Sequence, residues 1–165
     1  MPKVERMLVV DGSVFEVACA VRADGTTSYV ADFLDALERG EWERERAENL
    51  APDEQLTFRD WFYAALFSIA DDGLPPHGGY NQLRDGIWEI KHWDVRVTFF
   101  DTDGTGTYLP KTTQGGFWNP SWPDDFEPFL RLSTVFDKTG QKAGEGNIRL
   151  AIQVREEDLA HDRTE

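Results

Sequence analysis

The spacing of apolar residues changes sharply at the segment Gly73-Leu74-Pro75-Pro76. Over residues 28–72, before that segment, apolar side chains recur at helical intervals; over residues 87–100, after it, they alternate with polar ones, as in strands that bury one face. Because a glycine followed by prolines ends a helix, the segment separates a helical region from a strand region. The chain is therefore predicted to contain an antiparallel pair of amphipathic helices followed by short strands.

The helical region contains two amphipathic segments. Ser28 is a predicted N-cap for the first, Gly40 is its predicted end, and the apolar side chains between them are Val30, Phe33, Leu34 and Leu37. Pro52 opens the second, which carries Phe58, Phe62, Ala65, Leu66 and Ile69 at helical spacing. Residues 41–49 are predicted to form a charged linker between the two helices.

Short alternating runs predict strands on both sides of the helices. A first hairpin is predicted for residues 7–21, with Asp11-Gly12 as a two-residue loop. A second joins Ile87–Lys91 to Val95–Phe100 and places Lys91 and Arg96 near the same end. Residues 129–136 form the next predicted strand and residues 145–159 a final helix.

Residues 101–128 form a long insert rich in glycine, proline and aromatic residues. The aromatic side chains at the end of this segment either fold back over one face of the sheet, which we favour, or form an exposed binding patch; they are Phe117, Trp118, Trp122, Phe126 and Phe129. Asp101-x-Asp103-Gly104 lacks the later ligands of a calcium loop and is interpreted as a turn.

The charge balance excludes one class of function. Lys and Arg number 17 against 31 Asp and Glu, so the net charge is −14, which is incompatible with nucleic-acid binding through bulk positive charge. Residues 1–76 contain 7 basic and 16 acidic side chains, a net charge of −9, so most of the net negative charge precedes residue 77 and a local cluster of cations in the second half can still act. The lone Cys19, interpreted as a core residue, and the absence of a long apolar run predict a cytoplasmic protein without a membrane span. No metal-ligand spacing is present, and neither a metal nor another cofactor is expected.

Four motifs in the same order resemble the RelE/ParE toxin superfamily, in particular its HigB-like, phage-derived branch. They are residues 28–34 in the first helix, Leu83-Arg84-Asp85-Gly86-Ile87-Trp88-Glu89-Ile90-Lys91, Arg96-Val97-Thr98-Phe99-Phe100, and Phe136-Asp137-Lys138-Thr139-Gly140-Gln141-Lys142 leading to Ile148 and Ala151. The resemblance covers about residues 14–100 and 129–159. It implies an α+β fold, a small antiparallel sheet with an N-terminal helical hairpin and a C-terminal helix. It also implies a single RelE-like domain over residues 1–165, with an N-terminal extension (1–13) and the insert (101–128).

The resemblance also implies a function and a site. Family members are type II toxins that cleave mRNA on the ribosome without a metal and are neutralised by an antitoxin, here expected to be of the helix-turn-helix type. Such cleavage requires removal of the ribose 2′-OH proton, stabilisation of charge on the phosphate and protonation of the leaving oxygen. The implied catalytic residues are Lys91, His92, Arg96 and Lys138, and the implied RNA-binding residues are Arg84, Gln141 and Lys142.

The sequence is also compatible with alternatives to a catalytic site and to a ribonuclease function. Lys91 and Arg96 can equally form a solvent-exposed ladder of ion pairs with nearby acids. Asp137 replaces a family lysine, and its carboxylate would repel a phosphate unless it pairs with a neighbouring cation such as Lys138. The second hypothesis for the chain is a protein-binding module on the same fold, either catalytically silent or directed at DNA gyrase.

Overall fold

The computed structural model describes residues 4–44, 48–75, 79–111, 122–123, 125–137 and 144–163. Within them the chain forms three helices and six strands in the order β1 (Leu8–Asp11), β2 (Glu16–Cys19), α1 (Tyr29–Arg39), α2 (Pro52–Asp72), β3 (Tyr80–Gln82), β4 (Trp88–His92), β5 (Val95–Thr102), β6 (Phe129–Asp137) and α3 (Glu145–Arg163). The predicted α+β class is confirmed.

The strands form one sheet in the order β1-β2-β6-β5-β4-β3. Neighbouring strands are antiparallel except β2 and β6, which are parallel. The sheet was predicted to be antiparallel. It is mostly so, with one parallel pair of strands. Parallel neighbours need a long connection across the sheet, and the chain between β2 and β6 contains both α1 and α2.

Helices α1 and α2 begin and end where their local sequence predicts. The Ser28 hydroxyl accepts from the Ala31 amide at the start of α1, and Gly40 ends that helix at φ +68°. Pro52 stands in the first turn of α2, and Gly73 ends it at φ +79°. Positive φ costs glycine little, so these positions suit a left-handed cap.

The first hairpin differs from its prediction in the loop. Asp11 pairs with Glu16, so the loop contains residues 12–15 rather than Asp11-Gly12 alone. Glycine is required at position 12 because the backbone there passes close to the backbone of α2, and not because its φ is positive. A Cβ at this position would lie 2.4 Å from the carbonyl carbon and oxygen of Ala70. Strand β3 was not predicted from the sequence. Its three residues are all half-buried and lack the alternation of buried and exposed side chains that marks a strand.

The two faces of the sheet are covered by different helices. We call the face that α1 and α2 cover the helix-pair face; its apolar side chains include Val17, Cys19, Val97, Phe99 and Leu132. The opposite face, which we call the α3 face, packs Ala20 and Phe100 against Ala151, Val154 and Leu159 of α3. Each fully buried large apolar side chain stabilises the fold by about 1.5–3 kcal/mol relative to an exposed one.

The described part of the insert covers the sheet, as favoured. Phe126 is buried against Trp88 and Phe99 at ring-centroid distances of 5.5 and 6.1 Å, and Trp122 lies 5.7 Å from Phe99. These aromatic rings therefore extend the core on the helix-pair face beyond the helices. Phe117 and Trp118 lie outside the described residues.

Helix α3 runs to Arg163, four residues beyond its predicted end at 159. The sequence after Leu159 is polar and lacks the apolar periodicity that marks a buried helix. In the structure, polar side chains anchor this last turn. Asp162 accepts from Arg131 of β6, and Arg163 donates to the Gly106 carbonyl.

Candidate functional site

The β4–β5 hairpin brings two of the predicted catalytic residues together. Lys91 of β4 and Arg96 of β5 are directly opposite each other in the antiparallel register, and Glu89 is opposite Thr98. Residues two apart on a strand share a face, so Glu89, Lys91, Arg96 and Thr98 project from the α3 face. The predicted juxtaposition of Lys91 and Arg96 is confirmed.

Arg96 is buried rather than exposed. Its relative exposure is 7% and that of Glu89 is 2%, and the Arg96 Nε lies 3.6 Å from Glu89 Oε2. Its Nη1 donates to the carbonyl oxygens of Trp93 and Val95 at 2.6 and 3.2 Å. The guanidinium is therefore held by the β4–β5 turn and beside a carboxylate, in a setting where charges interact more strongly than in water.

Further polar groups surround this pair. Asn81 Nδ2 donates to Glu89 Oε1 at 3.4 Å. The hydroxyls of Thr98 and Thr134 are 2.6 Å apart, and the Thr134 amide donates to the Thr98 hydroxyl at 2.9 Å. We call Asn81, Glu89, Lys91, Arg96 and Thr98 the hairpin cluster. Lys91 is half-buried and is more accessible than Arg96.

Asn81, Glu89 and Thr98 are members of the cluster that the sequence did not identify as site residues. For Glu89 a signal was present, since it precedes Lys91 by two positions on a strand and must share its face. The sequence indicated Glu89 only as an ion-pair neighbour of Lys91 and Arg96. In the structure this carboxylate is the acidic group closest to Arg96 among the described ion pairs.

His92 lies on the other side of the sheet from Lys91. Its ring stacks on Trp61 of α2 at 3.9 Å between centroids and 16° between planes, and it contacts Phe58 at 4.8 Å. Burial lowers the pKa of His92 below its usual value of 6.5 because desolvation disfavours the imidazolium. The structure therefore separates His92 from the hairpin cluster.

Arg84 also lies apart from the hairpin cluster. It precedes β4, whereas Lys91 is near the other end of that strand, beside the turn. Arg84 is exposed and forms ion pairs with Asp85 and with Glu145 at the start of α3. The hydrogen bond to Glu145 raises the Arg84 pKa above its ordinary value, with a smaller contribution from Asp85.

The other predicted site residues, Lys138, Gln141 and Lys142, lie outside the described residues. The strand that precedes them ends at Asp137, which pairs with Val95 at the β4–β5 turn. The Asp137 carboxylate accepts from Arg44 Nη2 at 2.7 Å and from Arg44 Nε at 3.2 Å, and both side chains are nearly buried. In the described residues, the cation paired with Asp137 is thus Arg44, from the segment between α1 and α2.

Asp101 and Asp103, which begin like a calcium loop in the sequence, have structural roles. Asp101 belongs to β5 and lies 3.5 Å from the ammonium of Lys111, and it accepts from the Glu127 amide at 2.8 Å. Asp103 accepts from the Thr105 amide and hydroxyl in the turn that follows. The part of the chain that the structure describes contains no group of three His, Cys, Asp or Glu residues able to hold a metal ion.

Comparisons with known proteins do not assign this arrangement to a family. Searches with family models, among curated proteins and among solved structures gave no match. Among the described residues, none of the helices combines the length and apolar character needed to cross a membrane.

Proposed function

We propose that this chain is a RelE/HigB-like type II toxin that cleaves mRNA on the ribosome, in the cytoplasm, by metal-independent chemistry. The observation that carries the proposal is the hairpin cluster, in which Lys91 and Arg96 stand opposite each other with Glu89 beside them. Lys91 and Arg96 on one face can supply proton exchange and stabilisation of charge on the phosphate, two of the things that attack by a ribose 2′-OH requires.

The charged members of the cluster have different roles. Arg96 is preorganised by its bonds to the turn and would stabilise negative charge on the phosphate oxygens. Glu89, which is 2% exposed and lies 3.6 Å from Arg96, would hold the guanidinium in place. Lys91, the more accessible cation, would hold the phosphate and exchange the 2′-OH proton, and Lys138 remains the proposed donor to the leaving oxygen.

The carboxylate at the end of β6 does not oppose phosphate binding at the cluster. Asp137 ends the strand next to Arg96, and an isolated carboxylate there would repel phosphate. Its pairing with Arg44 at 2.7 Å offsets that charge. The net charge of −14 is then compatible with RNA binding, because charges more than about 8 Å apart are largely screened at physiological salt.

The test is induced expression in a bacterium with growth and mRNA cleavage as readouts. Wild type should arrest growth and cut mRNA, and Lys91→Ala should lose about 10²–10³-fold in cleavage, the usual effect of removing one electrostatic donor. Arg149→Ala removes a cation that is 71% exposed on α3 and serves as the matched control. Absence of toxicity in the wild type would refute the proposal.

The expected partners are the ribosome with its mRNA and a helix-turn-helix antitoxin. Co-expression with the product of a neighbouring open reading frame that encodes such a domain should restore growth. If toxicity depends on the wild-type residues of the cluster and is suppressed by that partner, both parts of the proposal hold. Suppression by an unrelated acidic protein would argue against a cognate antitoxin.

One observation favours the second candidate, a catalytically silent or gyrase-directed protein-binding module. Arg96 is buried beside Glu89, an arrangement that also serves simply to hold the hairpin. This candidate predicts that Lys91→Ala leaves any growth arrest intact and that RNA stays uncut. Inhibition of DNA supercoiling by purified gyrase would then identify the gyrase-directed form.

A further inference from the structure

A groove on the helix-pair side of the molecule lies between the start of α2 and the β4–β5 turn. Its volume is about 330 Å³, and its walls include Asp53, Glu54, Phe58, Trp61, His92 and Trp93. Aromatic rings and carboxylates thus share one concave surface. The groove is separate from the hairpin cluster, because His92 and Lys91 project from opposite faces of β4.

One wall of the groove is a stack of three aromatic rings, and the outermost ring is exposed to solvent. Trp61 and His92 are 3.9 Å apart and nearly parallel, and His92 and Trp93 are 5.6 Å apart at 22°. Trp93, the outermost ring, is 69% exposed. It also has φ +53°, a backbone conformation that is uncommon for a bulky residue. The hairpin therefore presents a large ring face to solvent at a turn position where small or polar residues are preferred.

The charges at the groove all have the same sign. Asp53 and Glu54 are exposed at the start of α2, and Asp94, next to Trp93 in the turn, is exposed too. No lysine or arginine among the described residues lines the groove. The carboxylates exceed the positive end of the α2 dipole, which amounts to about half an elementary charge. Electrostatics there disfavour a nucleic-acid backbone and favour a cation.

Ring faces and carboxylates together select a particular cation. The face of an indole attracts a cation through its quadrupole, and arginine is the cation found there most often. The planar guanidinium also pairs with a carboxylate through two parallel hydrogen bonds, which an ammonium does not. A groove with a stacked tryptophan and two adjacent carboxylates therefore matches an arginine side chain.

We infer that this groove binds an arginine side chain in a basic segment of a protein partner, with the guanidinium stacked on Trp93 and paired with Asp53 or Glu54. The inference does not depend on ribonuclease activity, since the groove and the hairpin cluster are on opposite faces of the sheet. His92, a predicted catalytic residue that the structure places away from the hairpin cluster, lies between Trp61 and Trp93. The inference therefore gives His92 a role in binding, because its ring packs against the Trp93 ring.

The test uses the full chain and the peptide acetyl-Ala-Arg-Ala-Arg-Ala-amide, with binding followed by NMR through the indole N–H signals of the tryptophans. The same peptide with citrulline in place of arginine keeps the shape and removes the charge. Wild type should bind the arginine peptide and not the citrulline peptide. Absence of binding at millimolar peptide, or equal binding of both peptides, would overturn the inference.

Variants then locate the site. Trp93→Ala and the double variant Asp53→Asn/Glu54→Gln should each weaken binding about tenfold, the effect of losing a cation–π contact or a charge-assisted hydrogen bond. The asparagine and glutamine keep the size of the side chains, and the glutamine keeps an acceptor for the Ala51 amide. Asp35→Asn/Glu38→Gln removes the same charge from exposed positions on α1 and should change affinity less than twofold.

Two further outcomes would contradict the inference. Equal weakening by the α1 double variant would mean that the peptide responds only to bulk negative charge. Binding of an oligouridylate to the wild type, with shifts of the Trp93 indole signal, would mean that the stack accepts a nucleobase and that the partner is RNA rather than protein.

Discussion

Replacing Asp158 by asparagine should destabilise the fold more than any other single loss of charge in α3. Asp158 is fully buried and its Oδ1 accepts from Arg6 Nε at 2.8 Å and from the Val21 amide at 2.9 Å. Its Oδ2 accepts from Arg131 Nη1 at 2.7 Å. One carboxylate therefore joins the N-terminal segment, the end of the first hairpin and β6 to α3.

The size of the stability loss depends on the buried cations that would remain after the substitution. Removing one partner of a buried ion pair typically costs about 3–5 kcal/mol, because the other charge stays buried without compensation. Asp162 also accepts from Arg131 and Arg6, at 2.5 and 3.1 Å, so part of the compensation survives in Asp158→Asn. We therefore expect the lower end of that range, about 3 kcal/mol.

The assay is urea unfolding followed by tryptophan fluorescence. With a slope of about 2 kcal/mol/M, a loss of about 3 kcal/mol lowers the midpoint by about 1.5 M. Asp35→Asn, which breaks an exposed pair with Arg39 on α1, is the matched control and should lower the stability by less than about 0.5 kcal/mol.

A second variant separates lost charge pairing from general damage. Adding Arg131→Met to Asp158→Asn removes the stranded cation, and part of the stability should return. A midpoint shift below about 0.5 M for Asp158→Asn, or a double variant less stable than the single one, would refute the reasoning.

Three other properties are expected. Gly12→Ala should lower the free energy of unfolding by about 1–3 kcal/mol, because the new Cβ would overlap the backbone of α2. Gly146→Ala, whose Cβ would have no atom within 4 Å, should instead stabilise α3 by about 0.5–1 kcal/mol. Equal urea midpoints for the two variants would contradict this. Burial, with a smaller contribution from a nearby aspartate, raises the Cys19 pKa to about 12, so the native thiol should resist Ellman's reagent at pH 8 and react only as fast as the protein unfolds. The hydrogen bond from Arg22 holds the pKa of Glu157 at about 2, against an ordinary 4.5; its contribution is present at neutral pH and lost as the pH falls from about 4.5 towards 2. The stability difference between wild type and Glu157→Gln should therefore shrink over that range in urea titrations, and a constant difference would count against the pairing.

Local sequence determined α1, α2 and the β4–β5 hairpin of this protein. The caps at Ser28 and Gly40, the proline at residue 52 and the apolar spacing of α2 specify helices through interactions within a few residues, and the structure has them at the predicted positions. The register that places Lys91 opposite Arg96 follows likewise from a short turn between two alternating runs. Such features need no knowledge of distant contacts.

Tertiary structure decided the environment of each candidate residue. Period-two alternation puts His92 and Lys91 on opposite faces, but only packing shows that one face carries α2 and the other the hairpin cluster. The partners of Asp137 and Asp158 are 93 and at least 27 residues away in sequence, and no local pattern specifies such pairs. Charge pairing and burial depend on which segments meet in the folded chain, so they decide whether a cation is exposed, neutralised or available to a substrate.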